Sequence, residues 1–230
     1  MSEDNKCKTL PSMKAVRENF GATAIGQKIY VARGRNENHQ RSSAEVYDCK
    51  SNKWSSLPDM NEKRQSCAVT SVDGKVYVVG GSFCSCLASC EMFDPDTNKW
   101  TTIPEMKKGR SDCAACANGD KLYVISGYHD GEWDSSVEVF DTITQEWSAL
   151  PNMATERLGC AAVSVGNKIY VFGGQRGLTC LSSAEVYDVT TQEWTKLPYM
   201  NEKRSSCAAT AIGNIICCWW RRWLHQSFIM

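Results

Sequence analysis

Apolar positions in this chain fall in short runs separated by Gly, Asp, Asn and Pro, and no helical period competes with them. Residues 64–106 show the pattern most plainly. Residues 66–72 predict a first strand, and Asp73-Gly74 a tight hairpin turn. Residues 75–79 predict a second strand, ended by Gly80-Gly81. After a polar loop, residues 89–93 predict a third strand. Asp94-Pro-Asp-Thr-Asn98 is turn chemistry, residues 99–103 predict a fourth strand, and Pro104 ends it. The second strand is apolar without alternation, as in Val76-Tyr77-Val78-Val79 and Ile169-Tyr170-Val171-Phe172. A strand reads that way when both of its faces are buried.

The same unit returns along the chain. Leu-Pro-x-Met or a near equivalent ends at Met13, Met60, Met106, Met153 and Met200, in steps of 47, 46, 47 and 47 residues. Four residues after each Met stands an arginine: Arg17, Arg64, Arg110, Arg157 and Arg204. Tryptophan recurs at 54, 100, 147 and 194. Glu45-Val-Tyr-Asp48 returns as Glu185-Val-Tyr-Asp188, with variants Glu91-Met-Phe-Asp94 and Glu138-Val-Phe-Asp141. Gly80-Gly81 returns at Gly173-Gly174, while Arg33-Gly34 and Ser126-Gly127 stand at the same phase. A fixed period of this length signals stacked supersecondary units. The expected fold is all-β: a propeller with four full four-stranded blades, at about 14–60, 61–106, 107–153 and 154–200, and a partial fifth at 201–216.

These motifs resemble the kelch repeat family from Met13 to about Ile216: glycine pair, then Tyr47 or Tyr187 (Phe at 93 and 140), then tryptophan, in the family's order. The first and third units depart by lacking the full pair. The Gly-His and Trp-Asp dipeptides of a WD-type repeat are absent at that phase. The resemblance implies a protein-binding propeller. In longer relatives such propellers follow BTB and BACK domains and present substrates to a cullin-type ubiquitin ligase. Other members bind actin, and substrate adaptor ranks above actin binding here. Some kelch-like propellers carry copper or iron or isomerise sugars. Three histidines and no nucleophile–base pair outside the repeat make an enzyme the weaker expectation, with no catalytic residue, metal or cofactor assigned.

Composition agrees. The 230 residues carry 26 Lys+Arg against 26 Asp+Glu, so nothing suggests the basic footprint of a nucleic-acid binder. Met1–Lys8 lacks the apolar core of a secretion signal, and no stretch reaches the ~18 apolar residues of a membrane span. The expected location is cytoplasmic, with the 13 cysteines as reduced thiols. Cys67, Cys113, Cys160 and Cys207 each follow the repeating arginine by three residues and are expected in the core of the first strand. Cys113-x-x-Cys116 has redox spacing, but residues three apart on a strand face opposite ways. Cys84, Cys86 and Cys90 could share a soft metal, yet no fourth ligand is apparent.

Repeated residues are structural first. The arginine would fix one blade to the next through carboxylates or carbonyls, and the tryptophan offers roughly 150–250 Å² for burial between blades. Binding is expected in the loop between second and third strands, which differs most from unit to unit. Its candidate contacts are Arg35, His39, Arg41, Phe83, Tyr128, His129, Trp133 and Arg176. His39 and His129 occupy equivalent loops and could approach each other at one mouth.

Residues 7–13 read as the fourth strand of a preceding unit. At the other end the repeat stops after Ile216. Read one base later, the codons of Cys217-Cys218-Trp219-Trp220 give Val or Ala twice and then Gly-Gly, matching Val171-Phe172-Gly173-Gly174. Residues 217–230 therefore read as a blade translated out of frame, as a gene-model error, frameshift allele or altered splicing would produce. The rival reading of Trp-Trp-Arg-Arg-Trp is a membrane-seeking or partner-binding tail.

Overall fold

Each unit of the sequence repeat folds into one antiparallel four-stranded sheet, and the sheets are arranged as blades of a β-propeller. The computed structural model describes residues 9–220, apart from 33, 37, 38, 41 and 214. Blade 1 comprises Gly21–Ile25, Lys28–Ala32, Ala44–Asp48 and Lys53–Ser56. Blade 2 comprises Ala68–Val72, Lys75–Val79, Cys90–Asp94 and Lys99–Ile103. Blade 3 comprises Ala114–Asn118, Lys121–His129, Glu132–Asp141 and Glu146–Leu150, and blade 4 Ala161–Val165, Lys168–Phe172, Ala184–Asp188 and Glu193–Leu197. A fifth unit supplies Cys207–Ile212 and Ile215–Trp220, paired to each other. The second of these strands runs on through 217–220 in the register of a blade's second strand. The described part of the expected strand at 7–13 is not one: residues 9–13 lie in no strand.

The apolar second strands are buried on both sides because each stands between two neighbours. Val76 and Val78 pack toward blade 1, with Tyr30, Ala32 and Met60. Tyr77 and Val79, between them in sequence, pack toward blade 3, with Leu122, Val124 and Phe140. Tyr123, Ile125, Ile169 and Val171 repeat the arrangement between blades 3 and 4. The core is thus a series of slabs, each plugged by a repeating methionine: Met60, Met106, Met153 and Met200 are 4–6% exposed. Fully burying one such side chain stabilises by about 1.5–3 kcal/mol.

The polar repeat residues hold the connections. Arg64, Arg110 and Arg157 are fully buried, and Arg17 nearly so. Arg157 donates to the Gly173 and Ser183 carbonyls at 2.7 and 2.9 Å and to Glu185 Oε1 at 2.9 Å. Arg64 does the same with Gly80, Ser89 and Glu91, and Arg110 with Ser126, Ser136 and Glu138. Each glutamate also accepts main-chain N–H groups just after the repeating methionine, as Glu91 does from Asn61 and Glu62. The expected carboxylate and carbonyl partners are present, but they lie in the arginine's own blade. At the arginine, the link from blade to blade runs through its main-chain carbonyl, as in Gly81 N to Arg110 O at 2.8 Å and Gly174 N to Arg204 O at 2.7 Å.

The tryptophans are half-buried and bridge blades by a hydrogen bond. Trp100, Trp147 and Trp194 donate Nε1 to the carbonyls of Pro58, Pro104 and Pro151 in the preceding unit, at 2.7–2.9 Å. Trp54 donates to Pro11 O at 2.8 Å, which places residues 9–13 at the phase of a preceding blade's exit. The Asp closing each third strand caps its turn. Asp141 Oδ1, for example, accepts from Ile143 N and Thr144 N at 2.9 and 3.1 Å.

Candidate functional site

Antiparallel strands alternate direction, so the loops between second and third strands emerge on the same face as the connections from one blade to the next. Main-chain pairs tie the two together: Gln65 with Ser82, Ser111 with Tyr128, and Leu158 with Gln175, all at 2.8–3.0 Å. The short hairpin turns gather on the opposite face, where Cys49 N bonds Gln27 O and Val189 N bonds Asn167 O.

The loop face carries the candidate contacts in different settings. In blade 1 the loop forms a small ladder, Arg35 opposite Gln40 and Asn36 opposite His39. Arg41 lies outside the described residues. Phe83, on the blade 2 loop, is 51% exposed. In blade 3 the second and third strands continue outward as an extended hairpin, pairing Tyr128 with Trp133 and His129 with Glu132. Trp133 is 38% exposed and Tyr128 half-buried. His129 is held in place, Nδ1 donating to Gly109 O at 2.6 Å and Nε2 lying 3.5 Å from Asp130. Arg176 is exposed and pairs with Glu156 at 3.2 Å. Leu178 was not among the candidates, yet it is wholly exposed on the blade 4 loop. Its signal was available: an apolar residue in a turn with no strand to bury it.

At the centre of this face is a pocket of about 210 Å³ lined by the blade-to-blade connections. Asn19, Ser66, Asp112, Gly159 and Ser206 occur there at one phase of the repeat, all left-handed with φ of 50–61°. Their main chains run hand to hand around the axis: Asp112 N to Ser66 O at 2.7 Å, Gly159 N to Asp112 O at 2.9 Å, Ser206 N to Gly159 O at 2.8 Å. Sequence reading missed this ring, although its signal, a small or polar residue two after each repeating arginine, was present. Beneath it a cavity of about 340 Å³ follows the axis between the first strands.

The repeating cysteines line the pocket floor, and the expectation of uniform burial needs correction. Cys113 and Cys160 are buried, whereas Cys67 and Cys207 are half-buried where the connection enters the strand. Burial pushes the Cys113 thiol up to about 12 and Cys160 to about 11, against the pull of Arg110 and Arg157. Such thiols stay protonated at neutral pH and are poor nucleophiles. Cys113 and Cys116 do face opposite ways, into separate core slabs. Cys84 is exposed, Cys90 is buried, and Cys86 reaches the Tyr128 carbonyl at 3.2 Å. Among the described residues no group of three His, Cys, Asp or Glu is placed to hold a metal ion.

Comparison with known families settles the relationship. The FKB95, kelch-repeats domain matches residues 1–114, and the kelch motif matches residues 109–154 and 156–201. The chain belongs to the kelch-repeat β-propeller family. The solved structure titled "Structure of YjhT" superposes with a TM-score of 0.80 at 17% identity, covering 91% of this chain and 74% of that one, a likeness of fold alone. No curated protein matches the chain. The kelch motifs account for the glycine, aromatic and tryptophan positions, leaving the unrepeated loop residues as what sets this propeller apart.

Proposed function

We propose that this kelch propeller is a protein-binding module whose contact surface is the loop face. The observation that carries the reading is the exposure of Phe83, Trp133 and Leu178 on the segments joining second and third strands of three successive blades, in blade 3 an extended hairpin. Large apolar side chains on a solvated loop lose free energy unless a partner covers them. The ladder pairing of Trp133 with Tyr128 holds its backbone in the blade 3 hairpin, which lowers the ordering cost of binding. The kelch family supports protein interaction in general. The finer reading is substrate recognition for a cullin-type ubiquitin ligase, with actin binding second, in the cytoplasm. No helix among the described residues is long and apolar enough to cross a membrane.

The test is site-specific photo-crosslinking of the full chain in cells, with one probe at Trp133 and another at Asp73 on the opposite face. The expected result is a discrete protein adduct from the Trp133 position only. Adducts from Asp73 alone would overturn the assignment. Co-sedimentation with filamentous actin separates the two finer readings.

A further inference from the structure

A cavity of about 390 Å³ opens at the loop-face end of blade 4, a volume in the range of small-ligand sites. Three segments wall it. The connection entering the blade supplies Thr155 and Arg157, and the third strand with the loop before it supplies residues 179–185. The fourth strand and the connection leaving the blade supply Lys196, Leu197, Tyr199 and Lys203. Arg157 and Glu185 are buried and answer each other at 2.9 Å. Lys196 and Lys203 are exposed, and they carry the net charge of the lining. Leu181 and Leu197 are half-buried and Tyr199 is 78% exposed, so the same wall offers an apolar side.

The repeat shows which of these residues the blade itself requires. Lys196 lies opposite Glu185, the place that Ser56, Thr102 and Ala149 take opposite Glu45, Glu91 and Glu138. Tyr199 precedes its methionine as Asp59, Glu105 and Asn152 precede theirs. Lys203 precedes its arginine as Lys63, Gly109 and Glu156 precede theirs. At these three places blades 1, 2 and 3 each carry one acid, Asp59, Glu105 and Glu156 in turn, whereas blade 4 carries two lysines and a tyrosine. A reversal of charge confined to one blade is not needed to build a blade, since the other three fold without it.

We propose that this cavity binds a phosphate monoester, its phosphate held by Lys196 and Lys203 and its organic part against Leu181, Leu197 and Tyr199. A phosphate monoester carries close to two negative charges at neutral pH, so it matches two ammonium groups where a carboxylate matches one. The Thr155 and Thr179 hydroxyls stand on the lining to donate to its remaining oxygens. A bare anion would leave most of the volume unfilled, which favours an ester. Its source is either a phosphorylated residue of a protein or a phosphorylated metabolite. The site uses neither Phe83 nor Trp133 and does not rest on the function proposed for them.

The probe is phenyl phosphate, titrated calorimetrically into the full chain at low ionic strength, where screening is least. Saturable one-to-one binding is expected, with benzoate weaker by roughly tenfold or more. Lys196→Gln and Lys203→Gln should each weaken phenyl phosphate several-fold at an unchanged melting temperature, because both side chains are exposed. Lys53→Gln, an exposed lysine on blade 1, and Trp133→Ala should leave binding as it is, the second separating this site from the partner surface. A phosphoserine tripeptide and glycerol 3-phosphate, run in parallel, tell the two sources apart by which binds more tightly. Absence of saturable binding, benzoate binding as tightly as phenyl phosphate, or an equal loss in Lys53→Gln would each overturn the proposal.

Discussion

Arg110 Nη2 and Glu138 Oε1 meet at 2.8 Å with 0% and 3% of their side chains exposed. The pair is closed off from water, and the guanidinium also serves the Ser126 and Ser136 carbonyls. Removing Arg110 leaves the Glu138 carboxylate buried without its cation, which costs about 3–5 kcal/mol, whereas removing Glu138 leaves Arg110 with Asp134 at 3.5 Å and should cost less. Glu138→Ala is expected to lower the urea midpoint accordingly. Arg110→Lys should restore little of an Arg110→Ala loss, because an ammonium cannot span carboxylate and two carbonyls with one planar fork.

Glu45 gives the pH dependence of the same device. Burial pushes its carboxyl up, but hydrogen bonds from Arg17 and from the Lys14 and Ala15 main chain outweigh it and hold the group below its ordinary value of 4.5. A depressed carboxyl contributes stability that is present above the unfolded value and lost as pH falls through the folded one. Acid unfolding below about pH 4.5 should therefore be less steep in Glu45→Gln than in the parent chain, as followed by tryptophan fluorescence against pH.

The glycines divide by what surrounds them. Gly166 has φ +56° and nothing within 4 Å of an added Cβ, so Gly166→Ala meets only the left-handed penalty of about 1–2 kcal/mol. At Gly173, φ is +60° and the Cβ would stand 2.4 Å from the Arg204 carbonyl, so Gly173→Ala should cost about 1 kcal/mol more at least. Gly173→Ser should be milder than Ala. Ser126 occupies that phase in blade 3 with φ +62°, its hydroxyl oxygen within hydrogen-bond reach of the Asp134 and Arg157 carbonyls and accepting from Arg157 N at 3.0 Å. Thermal unfolding of the three variants gives the order.

Native-state alkylation should separate the thiols. Among the described cysteines, Cys49 and Cys84 are exposed and should react with iodoacetamide first. Cys90, Cys113 and Cys116 are buried with values pushed up to about 12, and should react only on unfolding. Peptide mapping after timed alkylation reads this directly.

On the loop face, Trp133→Ala and Phe83→Ala should each weaken the crosslinked partner by about 2 kcal/mol or more if they anchor the interface. Melting temperature should fall only modestly, more for Trp133→Ala than for Phe83→Ala, since Trp133 is 38% exposed and Phe83 51%. Titration calorimetry with the identified partner, alongside calorimetric melting of each variant, checks both halves.

The chain's own pattern fixes the repeat, the all-β class, the strand order within each blade, and burial of the second strand on both faces. It could do so because these are local matters: turn residues fix hairpins, and an unbroken apolar run cannot face water. Phe83 was legible as a loop residue for the same reason, whereas Trp133, expected in a loop, lies in the strand Glu132–Asp141 because the blade 3 hairpin continues outward. Tertiary structure decided whatever depends on which segment meets which. It placed Arg157 against Glu185 within one blade while the Arg157 main-chain carbonyl reached the neighbouring blade. It half-exposed Cys67 and Cys207 while burying Cys113 and Cys160. It joined Ser66, Asp112, Gly159 and Ser206, 46 or 47 residues apart, into one hydrogen-bonded course around the axis. A repeat in sequence specifies one blade; the contacts around the axis arise only when blades stack, because no single unit contains both partners.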